Sequence, residues 1–331
     1  MRCPSLNELP APPPGKTGWP WTEESVRVES LDEHVYPRIT IVTPSFHQGG
    51  FIEETIRSIL LQGYPDLEYF ILDGGSTDAT VEIIQKYSRW ITFWMSERDN
   101  GQSAAINRGL RLASGVYAGW INSDDMLCKG ALVNLASGRK LERDTLYIGD
   151  CMCIDKTGNV IFTHRGRVLS FVDLVRIPSI WRSGGSIDQP AAFFPRDLAL
   201  QVGGLNEANH YTMDYELWGR LLLAGAKVEY TKTPLGTFRW YDGQKTQDSI
   251  KQTTSLLDAA TILIESASSL SPEVRDELLT ELQAYRLAYP KMMWNHSGRL
   301  ARIGLPRSIV LPIRRVKNTL GRIVGSFHLL S

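Results

Sequence analysis

The 331-residue sequence has no excess of charge of either sign, since 36 Lys and Arg residues balance 36 Asp and Glu residues. A basic surface is the usual footprint of a nucleic-acid-binding protein, so this balance argues against a nucleic-acid partner. Hydrophobic residues make up 43% of the chain and charged residues 22%, which is typical of a globular protein with a large core. One catalytic domain of about 200 to 250 residues with an appendage is the expected organisation.

Cysteine and long apolar runs are also scarce. The four cysteines follow no secretory leader and lack the spacing of a zinc site, so we expect free thiols in a reducing compartment. Cys151 and Cys153 lie two residues apart in a strand-like run, and we interpret both as packing residues. No segment approaches the roughly 18 apolar residues that span a bilayer, and the first residues lack the apolar centre of a signal peptide. The expected location is therefore the cytoplasm.

Two common nucleotide-binding motifs are missing. Gly15–Thr17 spells the GKT of a phosphate-binding loop, but Pro10 stands where that motif has its first glycine, and no strand precedes it. The G-x-G-x-x-G fingerprint of dinucleotide oxidoreductases does not occur after any predicted strand. Neither class of protein fits the sequence.

From Arg38 onward, short apolar runs alternate with segments of helical periodicity. Strands are predicted at RITIVTPSF, LEYFILD, ITFWMSE and VYAGWIN. Helices are predicted at FIEETIRSILLQ, DATVEIIQKY and GQSAAINRGLRLAS. Continuous apolar strands separated by amphipathic helices predict an α/β fold, with a mainly parallel sheet covered on both faces.

Polar and acidic residues collect where these strands end, and ligands of open α/β sheets bind beyond the carboxyl ends of the strands. The residues at the four ends are Thr43, Pro44, Ser45, Asp73, Glu97, Asp99, Asp124 and Asp125. Two interpretations of the adjacent carboxylates in NSDDML are open. They form a polar turn, or they hold Mg²⁺ or Mn²⁺ against a phosphate-bearing ligand.

The second half is less regular. A hairpin is predicted around the DKTG turn, and QPAAFFPRDLALQVGGLNE predicts a strand, a short helix and a glycine-rich turn. TMDYELWGRLLLAGA predicts a helix that ends at Gly225 and carries Asp214 and Trp218 on one face. Two more helical stretches follow Ser249. Residues 286–331 then contain nine Lys or Arg residues and no Asp or Glu.

Together these motifs resemble the family 2 glycosyltransferases, which have the GT-A fold and use nucleotide-sugar donors. The resemblance runs from about Arg38 to Thr246 and includes TPSFHQGG, DGGSTD, DNGQSAAINRG, NSDDML, MDYELW and FRWYDGQKT in the family's order. The predicted organisation is a Pro- and Trp-rich arm (1–37) that packs through Trp19 and Trp21, a GT-A domain (38–248), a helical extension (249–290) and a basic tail (291–331).

The resemblance implies donor-binding roles for Thr43, Pro44, Ser45, Asp73, Asp99, Asn107 and Asp124. The first three would grip the nucleoside and Asp73 would accept hydrogen bonds from the base. Many relatives have two acidic residues at this point, but the second is Gly74 here, so Asp73 would act alone. For Asp99, a helix N-cap is the alternative interpretation. Asp124 would contact the donor ribose or sugar.

The resemblance also implies the catalytic residues. Asp125 would contact the metal, Mn²⁺ or Mg²⁺, which offsets the charge that develops on a diphosphate leaving group. Asp214 would be the general base, and its place in the first helical turn favours the ionised form; the alternative is a well-placed residue at a helix start. Trp218 would offer an apolar platform to the acceptor sugar, or else lie in the core. Tyr241 stands where relatives often carry a metal-binding His, so Asp125, the diphosphate and water would hold the metal.

The implied function is an inverting, metal-dependent transfer of a hexose-type sugar to a hydroxyl of a saccharide or lipid-linked saccharide. One alternative is a sugar nucleotidylyltransferase, but TPSFHQGG lacks the arginine of that class. Another is a catalytically silent sugar-binding module. The basic tail is interpreted as a solvated extension or as a peripheral contact with the anionic inner face of a membrane.

Overall fold

The structure is a computed structural model that describes residues 3–28, 36–137 and 140–302; for residues 183, 247 and 290–302 it describes the backbone alone. The strands in this part of the chain are β1 (Ile39–Ser45), β2 (Leu67–Asp73), β3 (Phe93–Ser96), β4 (Tyr117–Trp120), β5 (Met126–Leu127), β6 (Thr145–Ile154), β7 (Val160–His164), β8 (Ala192–Pro195) and β9 (Lys227–Arg239). The helices are α1 (Ile52–Leu60), α2 (Thr80–Tyr87), α3 (Gln102–Leu112), α4 (Ala131–Ala136), α5 (Phe171–Val175), α6 (Arg196–Gln201), α7 (Met213–Leu223), α8 (Ser249–Ser266) and α9 (Pro272–Arg302).

The elements predicted from the sequence pattern are present, including the β6–β7 hairpin and the unit formed by β8 and α6. The periodicity of α1 explains its packing, because Ile52, Ile56 and Ile59 recur at helical spacing and are fully buried. Helix α7 ends where predicted. Gly225 follows its last turn with a φ of 94°, in the left-handed region that favours glycine.

The strands of the described chain form one sheet in the order β3-β2-β1-β4-β8-β6-β9-β5, with β7 paired to β6. Strands β3, β2, β1 and β4 are parallel. Strand β8 is antiparallel to β4 and β6, while β9 is parallel to β6 and antiparallel to β5. The prediction of a parallel sheet holds for the first group, and the other half is mixed. The carboxyl ends of β1 to β4 therefore meet at one edge of the sheet.

Helices cover both faces of the sheet, so successive residues of one strand serve two different cores. Ile41 faces the core formed with α1, α2 and α4, whereas Val42 faces the core formed with α3, α6, α7 and α8. Full burial of such a side chain stabilises the fold by roughly 1.5 to 3 kcal/mol. Cys151 and Cys153 are buried and free, as the sequence predicted for packing residues.

The N-terminal arm packs on α1, as predicted. Arg57 of α1 is fully buried and donates hydrogen bonds to the main-chain oxygens of Pro10 (2.8 Å), Pro20 (3.1 Å) and Trp21 (2.9 Å). Nε1 of Trp19 donates to a main-chain oxygen of β5 at 3.0 Å. Because a buried guanidinium is costly without hydrogen-bond partners, the arm completes this side of the core.

Helices α8 and α9 pack beyond α7. Gly219 permits the close approach of α8, because a Cβ at this position would lie 2.3 Å from Cδ1 of Leu263. The backbone of α9 continues to Arg302 and so enters the segment predicted as a basic tail, whereas residues 303–331 lie outside the described residues. Within the described ranges, no helix has both the length and the apolar composition that crossing a membrane requires.

Candidate active site

The loop that follows β4 is fixed by its own polar groups. The backbone N–H of Asp125 donates to the main-chain oxygen of Asn122 at 2.9 Å and closes a turn. The Asn122 amide accepts a hydrogen bond from Gln102 at 2.7 Å and donates one to Gln189 at 3.0 Å. These bonds tie the loop to α3 and to the segment before β8. The carboxylates of Asp124 and Asp125 therefore project from a rigid turn at the carboxyl end of the parallel strands.

Asp125 faces into the protein, and only 1% of its surface is exposed. Its Oδ1 accepts the main-chain N–H of Arg239 at 2.9 Å, and its Oδ2 accepts the Asn122 amide at 3.2 Å. Burial and the adjacent charge of Asp124 raise the pKa of Asp125 well above its ordinary value. Because its oxygens meet protein donors and have almost no exposed surface, the structure favours Asp124 over the predicted Asp125 as the metal contact.

Asp124 is the more accessible carboxylate of the two. Its side chain is partly exposed, and its Oδ2 accepts the hydroxyl of Tyr241 at 2.8 Å. Burial and the charge of Asp124 raise the pKa of Tyr241, so the phenol stays protonated and donates. The ring of Phe51 packs against that of Tyr241, with centroids 4.9 Å apart. Asp124 thus has one oriented oxygen and one side open to a ligand.

These residues fit a divalent cation that is shared with a substrate. In the described part of the chain, no three His, Cys, Asp or Glu side chains form a ready-made metal cluster. Mg²⁺ needs no such cluster, because it is usually held by one or two carboxylates, substrate phosphates and water. Asp124 would be the protein ligand of Mg²⁺ or Mn²⁺.

Arg239 organises this loop, and sequence reasoning missed its role. Its side chain is 1% exposed, donates from Nε to the main-chain oxygen of Asp124 at 2.8 Å, and forms an ion pair with Glu54 at 2.8 Å. The arginine is visible in FRWYDGQKT. The signal that was lacking is tertiary, since only the pairing of β9 with β5 and β6 brings the end of β9 to the β4 loop.

Asp214 lies in the first turn of α7 and is half-buried. Burial raises the pKa of Asp214 to about 6, although the main-chain N–H groups of Tyr215 and of Asp214 itself lower it. The charge of Asp188 adds to the rise and that of Lys245 opposes it. The helix amides favour the ionised form, as expected, but desolvation outweighs them and the net pKa is raised.

Asp188, whose charge acts on Asp214, pairs with His164. The sequence pattern did not indicate this pair. Nδ1 of His164 lies 3.2 Å from Oδ1 of Asp188, and Ser186 Oγ donates to the same oxygen at 3.3 Å. Burial lowers the pKa of His164, but the hydrogen bond and the charge of Asp188 outweigh burial, and the net pKa is raised. Oδ2 of Asp188 is buried and meets no hydrogen-bond donor among the described residues.

The end of β1 is more enclosed than expected. Thr43 is fully buried and its Oγ1 accepts the hydroxyl of Tyr69 at 3.2 Å, so Thr43 is a core residue rather than a donor contact. Pro44 and Ser45 are buried as well, although Oγ of Ser45 has no hydrogen-bond partner in the part of the chain that the structure describes. The next side chain, Phe46, is 59% exposed and is the first that a nucleoside could contact fully.

Asp73, at the end of β2, shapes its own loop. Its Oδ2 accepts hydrogen bonds from the N–H of Gly75 (3.1 Å), the N–H of Ser76 (2.8 Å) and Oγ of Ser96 (2.6 Å), and its Oδ1 accepts Oγ of Ser76 (2.6 Å). Three of these bonds fall on Oδ2 and only one on Oδ1, so Oδ1 keeps one acceptor position. The hydrogen bond from a base to Asp73 stays a prediction.

Asp99 is the exposed carboxylate of this region. It accepts the N–H of Gly101 at 2.8 Å, and Gly101 itself holds the cap position of α3, so Asp99 is not the N-cap. A Cβ on Gly74 would lie 3.3 Å from Oδ1 of Asp99. The Asp99 carboxylate thus lies beside Gly74, the position where many relatives carry a second acidic side chain.

A cavity of about 280 Å³ opens between the ends of β2 and β3 and helix α3, and Asp99, Arg108 and Arg111 help to line it. Asn107 takes no part in this cavity. Its amide donates to the main-chain oxygen of Leu205 and accepts the N–H of Leu205, both at 2.8 Å, and only 4% of its surface is exposed. The predicted donor-binding role of Asn107 is corrected to a structural link between α3 and the glycine-rich turn.

Trp218 belongs to the core and not to an acceptor site. It is fully buried, stacks on Trp120 with centroids 5.5 Å apart, and packs against Phe194 at 5.6 Å. It shares a helical face with Asp214, but it lies one turn deeper in the protein. A sugar ring cannot reach it, so the acceptor-platform interpretation is wrong.

Comparison with known proteins agrees with this geometry. Residues 40–194 match the model of glycosyl transferase family 2. The GalNAc(5)-diNAcBac-PP-undecaprenol beta-1,3-glucosyltransferase of Campylobacter jejuni is 29% identical over 137 residues, which are 40% of this chain and 44% of that relative. The chain spans 68% of the length of one curated relative, but only 31% to 35% of the length of three others.

Solved structures share the fold. S. aureus TarS 1-349 in complex with UDP superposes with a TM-score of 0.58 at 15% identity, over 76% of this chain and 72% of that one. The mannosyltransferase PcManGT of Pyrobaculum calidifontis, in complex with GDP-Man and Mn²⁺, gives a TM-score of 0.56 at 19% identity, over 87% and 80%. The fold is of the GT-A type, and the family match together with the glycosyltransferase relatives supports a family 2 glycosyltransferase.

Proposed function

We propose that the protein transfers a sugar from a nucleoside diphosphate sugar to a hydroxyl of a saccharide or lipid-linked saccharide, in one direct displacement with inversion. One observation supports the proposal, namely that the segment of Asp188 and Gln189 connects the surroundings of Asp214 with the loop of Asp124. The charge of Asp188 acts on Asp214, and the neighbouring Gln189 is hydrogen-bonded to Asn122 in the loop of Asp124. A candidate metal ligand and a candidate base therefore lie at the same edge of the sheet.

The donor would lie across the ends of β1 to β4. Phe46 is exposed beside the first strand, and the cavity next to Asp99 has arginine side chains in its wall. The UDP and GDP-Man complexes of proteins with this fold support a nucleotide-sugar donor here. A divalent cation, when bound at Asp124, supplies Lewis-acid neutralisation of the charge on the diphosphate. Tyr241 holds the Asp124 carboxylate in place through its hydroxyl.

Asp214 would act on the acceptor. As the acceptor oxygen forms its bond to the anomeric carbon, Asp214 accepts the hydroxyl proton, the bond from that carbon to the diphosphate oxygen breaks, and the nucleoside diphosphate leaves. A pKa near 6 suits this task, because the carboxylate is ionised at neutral pH and is still a better base than an exposed Asp.

The printed name of the C. jejuni relative supports a lipid-linked saccharide as the acceptor class, within cell-surface glycan synthesis. The basic tail suits the same proposal, since Lys and Arg near apolar residues favour an anionic membrane surface. Its side chains fall among residues that the structure does not describe, so this part of the proposal rests on sequence composition.

The test is a donor screen that measures nucleoside diphosphate release with Mn²⁺, with Mg²⁺ and with a chelator, followed by assignment of the product's anomeric configuration. We expect metal-dependent release and inversion. Asp214→Asn should bind the donor without transfer, and Asp197→Asn, whose side chain is 77% exposed, is the matched control. Donor binding without transfer in the wild type would favour a silent module. Pyrophosphate release from a nucleoside triphosphate and a sugar phosphate would favour a nucleotidylyltransferase.

A further inference from the structure

We infer that the N-terminal arm positions the active-site loop, through a relay from Trp21 to Glu54 to Arg239. The inference rests on the proposed function for its catalytic meaning, but the relay itself is a set of contacts within this chain. It gives Trp21 and Glu54 the role of positioning residues, which act on the site through Arg239 and do not touch the substrate.

The first step joins the arm to α1. Nε1 of Trp21 donates to Oε1 of Glu54 at 3.2 Å. Trp21 is 5% exposed, and its ring is covered by the guanidinium of Arg57, whose carbon lies 5.4 Å from the ring centroid. Arg57 also donates a hydrogen bond to the main-chain oxygen of Trp21. Both the backbone and the ring of Trp21 are therefore held in place. Trp21 therefore presents its donor to Glu54 from a rigid position.

The second step joins α1 to β9. The other carboxylate oxygen of Glu54, Oε2, pairs with Nη2 of Arg239 at 2.8 Å. The side chains are 13% and 1% exposed, so the pair is almost completely removed from water. Burial of an ion pair is favourable only when its geometry is good and its remaining polar atoms are satisfied. The Trp21 donor satisfies the remaining oxygen of Glu54, and so completes this pair.

The third step joins β9 to the two carboxylates of the β4 loop. Arg239 donates from Nε to the main-chain oxygen of Asp124 and from its main-chain N–H to Oδ1 of Asp125. Its guanidinium also covers the ring of Phe51 at 5.1 Å, and Phe51 packs on Tyr241, the residue that holds Asp124 Oδ2. A rotation of the guanidinium would therefore shift both the backbone and the side chain of Asp124.

Trp19 provides the contrast that makes the relay testable. It belongs to the same arm and also donates an indole N–H, but to a main-chain oxygen of β5 and not to Glu54. Loss of either donor should loosen the arm to a similar degree. Only loss of the Trp21 donor removes a partner of the Glu54–Arg239 pair.

The experiment compares Trp21→Phe with Trp19→Phe in the full chain, since each change keeps an aromatic ring and removes one donor. The first measurement is amide hydrogen exchange without nucleotide or metal. We expect the Arg239 amide, which donates to Asp125, to exchange about tenfold faster in Trp21→Phe than in Trp19→Phe. The second is the Mn²⁺ concentration for half-maximal nucleoside diphosphate release, which should rise about fivefold in Trp21→Phe alone, with the acceptor KM unchanged.

Equal effects of the two changes on the Arg239 amide and on the Mn²⁺ requirement would overturn the relay and leave the arm a packing element. Glu54→Gln is a second variant, which should exceed the effect of Trp21→Phe on both measurements if the relay is correct. Absence of sugar transfer in the wild type would refute the proposed function alone, because the exchange measurement needs no activity. If the wild type transfers sugar but the Arg239 amide of Trp21→Phe exchanges at the wild-type rate, the relay alone is refuted.

Discussion

Replacement of Asp214 by Asn should stabilise the fold at neutral pH while it removes the general base. The pKa of Asp214 rises from an ordinary value of 3.8 to about 6, mainly because the carboxylate is buried. At about 1.4 kcal/mol per pH unit, this rise means that ionisation costs the folded state about 3 kcal/mol. The value is an upper bound, because the side chain keeps some contact with solvent. Asn is nearly isosteric, can still accept a hydrogen bond from a helix amide, and carries no charge.

The direction of the pH dependence follows from the raised pKa. Between pH 3.8 and about 6, the folded protein binds more protons at this site than the unfolded chain, so stability falls as the pH rises through that window. Below the window both states are protonated, and the penalty disappears. The stability gain of Asp214→Asn should therefore be full at pH 8 and near zero below pH 4.

Denaturant unfolding of wild type, Asp214→Asn and the surface control Asp197→Asn at pH 4, 6 and 8 measures this effect. The control should shift stability by less than about 0.5 kcal/mol at each pH. The kcat of Asp214→Asn at pH 8 should fall at least ~100-fold, as for other lost general bases. A variant that is no more stable than wild type at pH 8, or equally stabilised at all three pH values, would refute the assigned burial penalty.

Four further outcomes are expected. Asp124→Asn should weaken Mn²⁺-dependent binding of UDP at least ~10-fold by calorimetry, and Asp125→Asn should weaken it less, because only Asp124 offers oxygen to a cation. Tyr241→Phe should raise the Mn²⁺ requirement no more than about threefold, the effect of one hydrogen bond, and Tyr241→His should lower it. Trp218→Ala should cost about 3 to 5 kcal/mol of unfolding free energy without a specific rise in acceptor KM. Truncation after Arg302 should preserve folding but reduce salt-sensitive binding to vesicles that contain phosphatidylglycerol.

Each of these four predictions would be contradicted by a specific result. A larger loss for Asp125→Asn would return the metal to Asp125, and a large loss of metal affinity in Tyr241→Phe would make the phenol oxygen a ligand. A Trp218→Ala variant of wild-type stability would contradict the core assignment. Vesicle binding that is absent in the full chain, or independent of salt, would leave the tail as a solvated extension.

The α/β part of the fold was predictable because its signals are local. Each strand and helix from Ile39 to Trp120 has its own periodicity and its own boundary residues, and no distant contact is needed to recognise it. The order of the later strands was not predictable in the same way. Strand β8 lies between β4 and β6, and β9 between β6 and β5, so pairing here depends on tertiary packing.

The errors at the site have a common physical origin. Sequence placed the acidic residues at the correct edge, but it could not show which of two adjacent carboxylates turns inward, because Arg239 decides this from 114 residues away. Asn107 has the right residue type for a ligand contact, yet its amide is hydrogen-bonded to Leu205 within the protein. For Trp218 the helical pattern alone could not separate a rim position from a buried one.

Arg239 contacts a loop that lies more than 100 residues earlier in the chain, and this separation sets the order in which the site can form. A chain that emerges from the ribosome up to α7 already contains Asp124, Asp125 and Asp214, and its first four parallel strands can pair. It still lacks the main-chain N–H and the guanidinium that fix the two adjacent carboxylates. The loop of Asp124 and Asp125 therefore gains these contacts only when β9 pairs with β6 and β5.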